Sequence, residues 1–401
     1  MTALPPQISA FRQALPGMAT LIVGHGIGRF AFTPLIPALV AAGLFTGPQA
    51  VWLGAANLIG YFLGSLMALR LADRYGVGFV LRASVGAVLL ATLAGIPNWG
   101  PEWGLIWLAP WRMLTGIAGA LILILAPSAL LSQVPVSRRG TISGLVFCGI
   151  GIGIILAGTV VPWLAQIDIV AAWLGLAVLA LLLWIPAWSG WPEKPPTLKS
   201  QAAALPSGPG PRWTLPLLCL AAAYAGDAMG FIPHTVFWVD YIARGLGHGV
   251  AVGGYFWVLF GIGAALGVLL LGRLADKIGF GAALTLMLGA KALAIALPLF
   301  SASLPALVIS SLIVGAATPG AAMLTSGVAL ELVGADAHRG AWRKLTLIFS
   351  AFQALAGQGF ALLFAATQAY EAIFAIGAGL LALASVAAGF AWRGQRHHKK
   401  N

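Results

Sequence analysis

The sequence predicts an all-α integral membrane protein, with twelve transmembrane helices in two pseudo-symmetric six-helix halves. Three observations point there. Of 401 residues, 60% are hydrophobic and 8% charged, and the mean hydropathy is +0.96. Soluble domains carry about 25% charged residues, so the solvent for most of this chain is lipid. Apolar runs long enough to span a bilayer core, about 20 residues each, recur along the whole length. A charged segment also returns half a chain later. Arg70–Gly76 reads Arg-Leu-Ala-Asp-Arg-Tyr-Gly, and Arg273–Gly279 reads Arg-Leu-Ala-Asp-Lys-Ile-Gly. Leu71 maps onto Leu274 with a shift of 203 positions, which suggests two related membrane halves.

The spans are expected at about 16–40, 50–70, 78–97, 104–131, 141–163 and 168–189, then 213–239, 250–272, 280–300, 304–331, 341–366 and 369–392. Helices are required because an apolar run in lipid must satisfy its own backbone hydrogen bonds. The alternating ten-residue pattern of barrel strands is absent. Between the sixth and seventh spans, Trp-Pro-Glu-Lys-Pro-Pro and Ala-Leu-Pro-Ser-Gly-Pro-Gly-Pro are too rich in proline and glycine for a regular helix. The expected domains are therefore an N-terminal half, 1–189, a cytoplasmic linker, 190–212, and a C-terminal half, 213–401. Arg139-Gly140 and Arg339-Gly340, opening the fifth and eleventh spans, repeat at a similar shift.

The net charge of +12 does not indicate nucleic acid. Its lysines and arginines fall in alternate short loops, at Arg70, Arg74, Arg138, Arg139, Arg273, Lys277, Arg339, Arg343 and Lys344, and in the tail. The opposite loops hold Glu102, Asp168, Asp240 and Glu371, with Arg244 as the clear base. By the positive-inside rule both termini are cytoplasmic, in a bacterial-type inner membrane. The first apolar run contains His25 and Arg29 and is read as a retained span. Cys148 and Cys219 both fall inside spans and form no disulfide framework. There is no phosphate-binding Gly-x-x-x-x-Gly-Lys-Ser/Thr loop, no zinc spacing and no paired catalytic group. An enzyme, a cofactor and a metal are accordingly not expected, and His397-His398 reads as part of a basic end.

These residues carry a resemblance to the major facilitator superfamily, covering nearly the whole chain. Its loop motif, Gly-x-Leu-Ala-Asp-Arg/Lys-x-Gly-Arg-Arg/Lys, is matched at its first eight positions by Gly272-Arg273-Leu274-Ala275-Asp276-Lys277-Ile278-Gly279. The first copy has Leu69 in place of the leading glycine, and neither copy ends in the basic pair. Arg112-Met-Leu-Thr-Gly116-Ile-Ala-Gly119 looks like the Arg-x-x-x-Gly-x-x-Gly pattern associated with proton-linked members. Gly26-Ile-Gly28-Arg29-Phe30-Ala31-Phe32-Thr33-Pro34 and Asn57-Leu-Ile-Gly60-Tyr61-Phe-Leu-Gly64 resemble the YbfB/YjiJ-like subfamily. The resemblance implies the major facilitator fold, a central cavity lined by spans 1, 4, 7 and 10, and a cytoplasmic gate at Asp73, Arg74, Gly76, Gly272, Asp276, Lys277 and Gly279. Gly149, Gly151 and Gly153 lack the Gly-Pro antiporter signature, which weakens a drug-antiport reading.

An unpaired ionisable group deep in a span costs about 2.5–3.5 kcal/mol on insertion scales, so each one needs a reason. Arg29, Arg112, Asp227 and Lys291 lie deepest, joined by His25 and His234. His25 and Arg29 share a helical face at i, i+4. The implied architecture brings Arg29, Arg112 and Asp227 toward one midplane pocket. On that reading the arginines bind an anionic or hydrogen-bonding substrate, Asp227 is the proton-coupling carboxylate, and His25 tunes or relays. The structural alternative is a buried Arg–Asp pair that locks the halves together. Lys291 falls on a span expected to be peripheral, where it snorkels or pairs with a neighbour. Asn57 and Gln353, like Tyr61, Thr115, Thr318 and Gln358, either face the cavity or hydrogen-bond between helices. Gly24, Gly26, Gly28 and Pro34, Gly230 and Pro233, and Pro319-Gly320 mark expected breaks in spans 1, 7 and 10. Trp99, Trp103, Trp107 and Trp111 recur every four residues as an interfacial belt or a stacking platform.

The expected function is secondary transport of a small organic anion or polar metabolite, coupled to protons, by a monomer that has no partners beyond substrate, protons and lipid. The alternatives are proton-driven efflux of amphipathic compounds and, in another class, a transport-dead membrane sensor.

Overall fold

The computed structural model describes residues 9–131, 133–135, 138–191 and 213–398, and among these it contains helices and no strand. In chain order the helices are α1 Ala10–Ala41, α2 Gly47–Tyr75, α3 Val77–Leu93, α4 Gly100–Leu131, α5 Arg139–Ala165 and α6 Ile169–Trp188. They continue with α7 Leu215–Gly245, α8 Gly249–Ile278, α9 Phe280–Phe300, α10 Leu304–Gly334, α11 Gly340–Thr367 and α12 Tyr370–His398. Eleven of these are long and apolar enough to cross a membrane, and α3 is a shorter apolar helix. Most of the expected linker, residues 192–212, lies outside the described residues.

Helix starts follow local chemistry. Thr46 and Gln49 form a reciprocal capping box at α2, and the Asp168 carboxylate accepts from the Ala171 N–H at α6. The two loop motifs end alike: Gly76 (φ 85°) and Gly279 (φ 86°) each close one long helix and open the next. Nothing lies within 4 Å of a Cβ built on either glycine, so backbone conformation rather than space requires glycine there. The end of the molecule that carries these motifs is the motif end below, and the other is the far end.

Two expectations about the spans change, the end of span 7 and the break at Pro319, while the breaks expected in spans 1 and 7 are present. Span 7 runs on to Gly245 because Asp240 and Arg244, assigned to a loop by hydropathy, neutralise each other at i, i+4 within the last turns. Breaks appear in α1 and α7 as π-helical segments, Ile22–Phe30 and Pro233–Phe237. Pro319 leaves α10 helical, and the non-helical residue sits further on, at Gly334 (φ 74°) between α10 and α11.

Glycine sets the closest packing in the first half. A Cβ on Gly60 would strike the Met113 carbonyl, and one on Gly116 the Asn57 carbonyl. Helices α2 and α4 therefore touch backbone to backbone, which lets Asn57 reach across to α4. The first six and last six helices meet along two lateral seams. On α5–α8, a Cβ on Gly151 would press on Ala265; on α2–α11, Ser65 and Ser350 hydroxyls lie 3.0 Å apart and Gly357 packs on Leu58. They also close on each other at the far end. Thr33 Oγ1 donates to the Thr235 carbonyl at 2.6 Å, Trp257 Nε1 to the Phe30 carbonyl at 3.2 Å, and the Arg244 guanidinium lies against Gly47.

Candidate functional site

A cavity lies where α1, α2, α4 and α7 converge, lined by Arg29, Phe32, Thr33, Gly54, Asn57, Arg112 and Thr235 among others. The π-helical stretch of α1 places Arg29 on it. The Arg29 guanidinium carbon is 5.1 Å from the Phe30 ring centre, 5.2 Å from Tyr61 and 5.9 Å from Phe231. These rings come from α1, α2 and α7, so both halves contribute. Aromatic faces attract a cation but do not neutralise it. Among the described residues no carboxylate lies within ion-pair distance of Arg29.

Arg112 is buried beside it. Its Nη1 donates to the Gly28 carbonyl at 3.0 Å and to Thr115 Oγ1 at 3.3 Å, and its guanidinium sits 4.0 Å over the Phe32 ring. Arg112 Nε is buried with no partner, and this side chain too lacks a carboxylate among the described residues. Asn57 ties three helices together: its Nδ2 donates to Thr115 Oγ1 at 2.9 Å and approaches the Gly28 and Arg112 carbonyls at 3.3 Å. Its Oδ1 remains buried and unpartnered. His25 stands edge-on to Tyr61 at 6.1 Å, again with a buried, unpartnered Nδ1. Gln353 is fully buried, and neither end of its amide has a partner. It lies one turn from both Ser350 and Gly357, so it belongs to the α2–α11 seam, whose α2 side includes Leu58 and Ser65. Most buried polar atoms in proteins find a partner. On the cavity itself, Asn57 Oδ1 and Arg112 Nε are thus left open beside two guanidinium groups that have no carboxylate among the described residues, an arrangement that can accept a polar guest.

Asp227 is placed differently from the sequence expectation. Its carboxylate accepts from Lys291 Nζ at 2.6 Å, with both side chains buried. Lys291 thus sits inside the second half rather than at a lipid-facing position, and the buried pair is Lys–Asp, not Arg–Asp. The two sites still adjoin. Lys291 Nζ is 4.9 Å from the Phe231 ring, the same ring that Arg29 approaches from the other half. Phe231 continues a column of rings toward the motif end: Phe349 at 5.9 Å, then Tyr224 at 4.5 Å from Phe349, then Trp342 at 5.8 Å.

Residues of the expected gate lie away from this cavity. Asp73, Arg74, Asp276 and Lys277 are exposed, and neither aspartate forms an ion pair with a described residue. At the far end, by contrast, Arg244 Nε and Nη2 clasp both Asp240 oxygens, and the Tyr370 hydroxyl donates to Asp240 Oδ2 at 2.6 Å. Of the tryptophan stripe, Trp99 and Trp103 are exposed as an interfacial belt requires. Trp107 donates to the Ala94 carbonyl, and Trp111 lines a second small cavity with Arg112.

Comparison with known proteins gives this geometry a context. A family profile described as "Uncharacterised MFS-type transporter YbfB" matches residues 21–389. The 3-(3-hydroxy-phenyl)propionate transporter of Escherichia coli (strain K12) is 29% identical over 251 residues. That match covers 57% of this chain and 56% of the relative, so the chain spans little more than half of that relative's length. Among solved structures, that of a D-xylose-proton symporter superposes with a TM-score of 0.73, covering 95% of this chain and 96% of that one. A partially occluded, inward-open xylose transporter XylE from E. coli gives 0.74, with 96% and 98% covered. At 14% identity in both cases, these last two likenesses are of fold.

Proposed function

The chain belongs to the YbfB family of MFS-type transporters, and from that membership we propose that it carries a small organic anion across a bacterial inner membrane, with protons as the driving ion. The carrying observation is the pair Arg29 and Arg112, on one cavity between the halves and without a carboxylate among the described residues. Two guanidinium groups held out of water cost free energy, and a carboxylate guest would offset that cost. The rings of Phe30, Tyr61 and Phe231 around Arg29 favour a guest with a flat apolar part. A phenylpropionate has both features, in keeping with the name of the E. coli relative. Asp227 is the coupling carboxylate. Protonation would dissolve its pair with Lys291 beside the shared Phe231 ring, altering the charge next to the anion site. The chain moves between states by alternating access, and the arrangement closed at the far end and joined along the sides is one of them. In this reading the motif end and both termini are cytoplasmic, and the working unit is a monomer.

The test uses reconstituted protein and radiolabelled 3-(3-hydroxyphenyl)propionate, with an inward proton gradient. Arg29→Gln and Arg112→Gln should each lower uptake by at least about tenfold, the scale of one charge-assisted hydrogen bond. Asp227→Asn should abolish uphill accumulation. Uptake that survives both arginine substitutions, or binding confined to organic cations, overturns the anion reading in favour of amphipathic efflux. Accumulation unchanged in Asp227→Asn removes that residue from coupling.

A further inference from the structure

His234 has no part in the site described so far, yet its surroundings fix its protonation in unusual detail. Ser310 Oγ has one proton, and its 2.6 Å contact with the Ala294 carbonyl uses it, because a carbonyl only accepts. The 2.7 Å contact between Ser310 Oγ and His234 Nε2 must then carry the histidine's proton. Neutral His234 is therefore the Nε2–H form, with a bare lone pair on Nδ1. That Nδ1 is buried and has no partner, in a residue with no exposed surface. The ring is clamped, stacked on Trp238 at 4.1 Å and 17° and met edge-on by Phe374 at 5.6 Å. A fixed base with an open lone pair is costly in a core unless it is used.

Its position suggests the use. Ala294 lies three residues beyond Lys291 on α9, a rise of about 4.5 Å. The imidazole is thus tied through Ser310 to α9 about one turn beyond Lys291, on the far-end side of the Asp227–Lys291 pair. Asp227 and His234 also share a face of α7, two turns apart. On α9 the charged group is Lys291, three residues before Ala294. Helix α10 offers Ser310, α12 offers Phe374, and further along α7 lies Asp240, held by Arg244 and Tyr370.

We propose that His234 is the proton carrier that serves Asp227 from the far end, so that protons and anion enter by separate routes in the two halves. The proposal rests on the coupling role given to Asp227. A proton from water adds to Nδ1, giving an imidazolium with both nitrogens protonated. The Nδ1 proton then passes, through bridging water, to the Asp227 carboxylate. The ring returns to its Nε2–H form, Asp227 becomes a neutral acid, and Lys291 keeps its charge but loses its counter-ion.

The deciding experiment needs no substrate. Infrared difference spectra after a rapid drop in pH follow protonated carboxyl groups in the purified, full-length protein, and the band missing from Asp227→Asn is assigned to Asp227. In His234→Gln that band should rise at least about tenfold more slowly, as expected when a positioned proton carrier is lost. In Ser310→Ala, which keeps Nδ1, the rate should change less than about threefold on the same scale. Thermal unfolding checks that each variant is folded, and His234→Asn replaces His234→Gln if the latter is not. Transport of 3-(3-hydroxyphenyl)propionate gives a second readout. His234→Gln should lose uphill accumulation while retaining exchange of labelled for unlabelled compound. A band that rises equally fast in His234→Gln overturns the relay alone. A wild-type protein with no Asp227 band overturns the coupling reading, and the relay with it. Failure of the wild type to carry the probe overturns the substrate reading and leaves the infrared result to decide the relay.

Discussion

At the scale of single residues, the buried Lys291–Asp227 pair makes the sharpest claim about stability. Both charges are out of water, joined at 2.6 Å. Removing one partner leaves the other ionised and unpaired, which costs about 3–5 kcal/mol, whereas replacing both by apolar residues of similar size is close to neutral. Lys291→Ala should therefore lower the thermal midpoint of the purified protein sharply. The double variant Asp227→Leu with Lys291→Met should recover most of the loss while still failing to accumulate substrate. A double variant as unstable as Lys291→Ala would show that packing around α9, rather than charge, sets the cost. The sequence revealed these residues but not their pairing. Arg29, Arg112, Asp227 and Lys291 stand out because an ionisable group in an apolar run needs a reason. Which of the two arginines or the lysine answers Asp227 depends on helix adjacency, and a single sequence carries no signal for that. Gln353 was visible as a polar residue in a span, whereas the isolation of its amide emerges only once α11 is laid against α2.

At the scale of elements, the repeat that was most legible in the sequence is also the best matched in three dimensions. Gly76 and Gly279 adopt nearly the same backbone, φ 85° with ψ 143° and φ 86° with ψ 154°, in open surroundings. That region of conformational space is almost confined to glycine and costs other residues about 1–3 kcal/mol. Because no neighbour adds a clash at either site, Gly76→Ala and Gly279→Ala should destabilise by the same amount within about 0.5 kcal/mol, the usual error of comparing independent sites. Thermal or denaturant unfolding of both variants measures this, and a twofold disparity would mean that the two turns are not equivalent. Hydropathy placed the spans well because lipid solvation is a property of composition. It misjudged the end of α7, where Asp240, Arg244 and Tyr370 satisfy one another inside the helix-bundle wall. Reading Pro319-Gly320 as a helix break also failed, because a transmembrane helix tolerates a proline that would break an isolated helix in water.

At the scale of the whole molecule, the halves are latched at the far end by Thr33–Thr235 and by Arg244 against Gly47, while the charged motif loops stand exposed and without ion pairs to described residues. On the alternating-access reading proposed above, any holding function of the motifs is exercised in the other state, when the motif end closes. A contact worth about 1 kcal/mol shifts a two-state ratio about fivefold, so losing a clamp should alter turnover more than folding. The two copies are not equal for this task. Gly272 leaves its surface open, since a Cβ there would meet only Met323 Sδ, at 3.9 Å. In the first copy Leu69 occupies the corresponding position and is 40% exposed, which keeps an approaching helix at a distance. The second copy can come closer to whatever it grips. Asp276→Asn should therefore slow turnover of the labelled probe more than Asp73→Asn, with both variants unfolding at the wild-type temperature. Labelling of a cysteine placed in the central cavity, from the motif side, should rise in the same order, because the motif end spends more time open. Equal effects, or a larger one from Asp73→Asn, would mean that the leading glycine does not decide how well the motif holds.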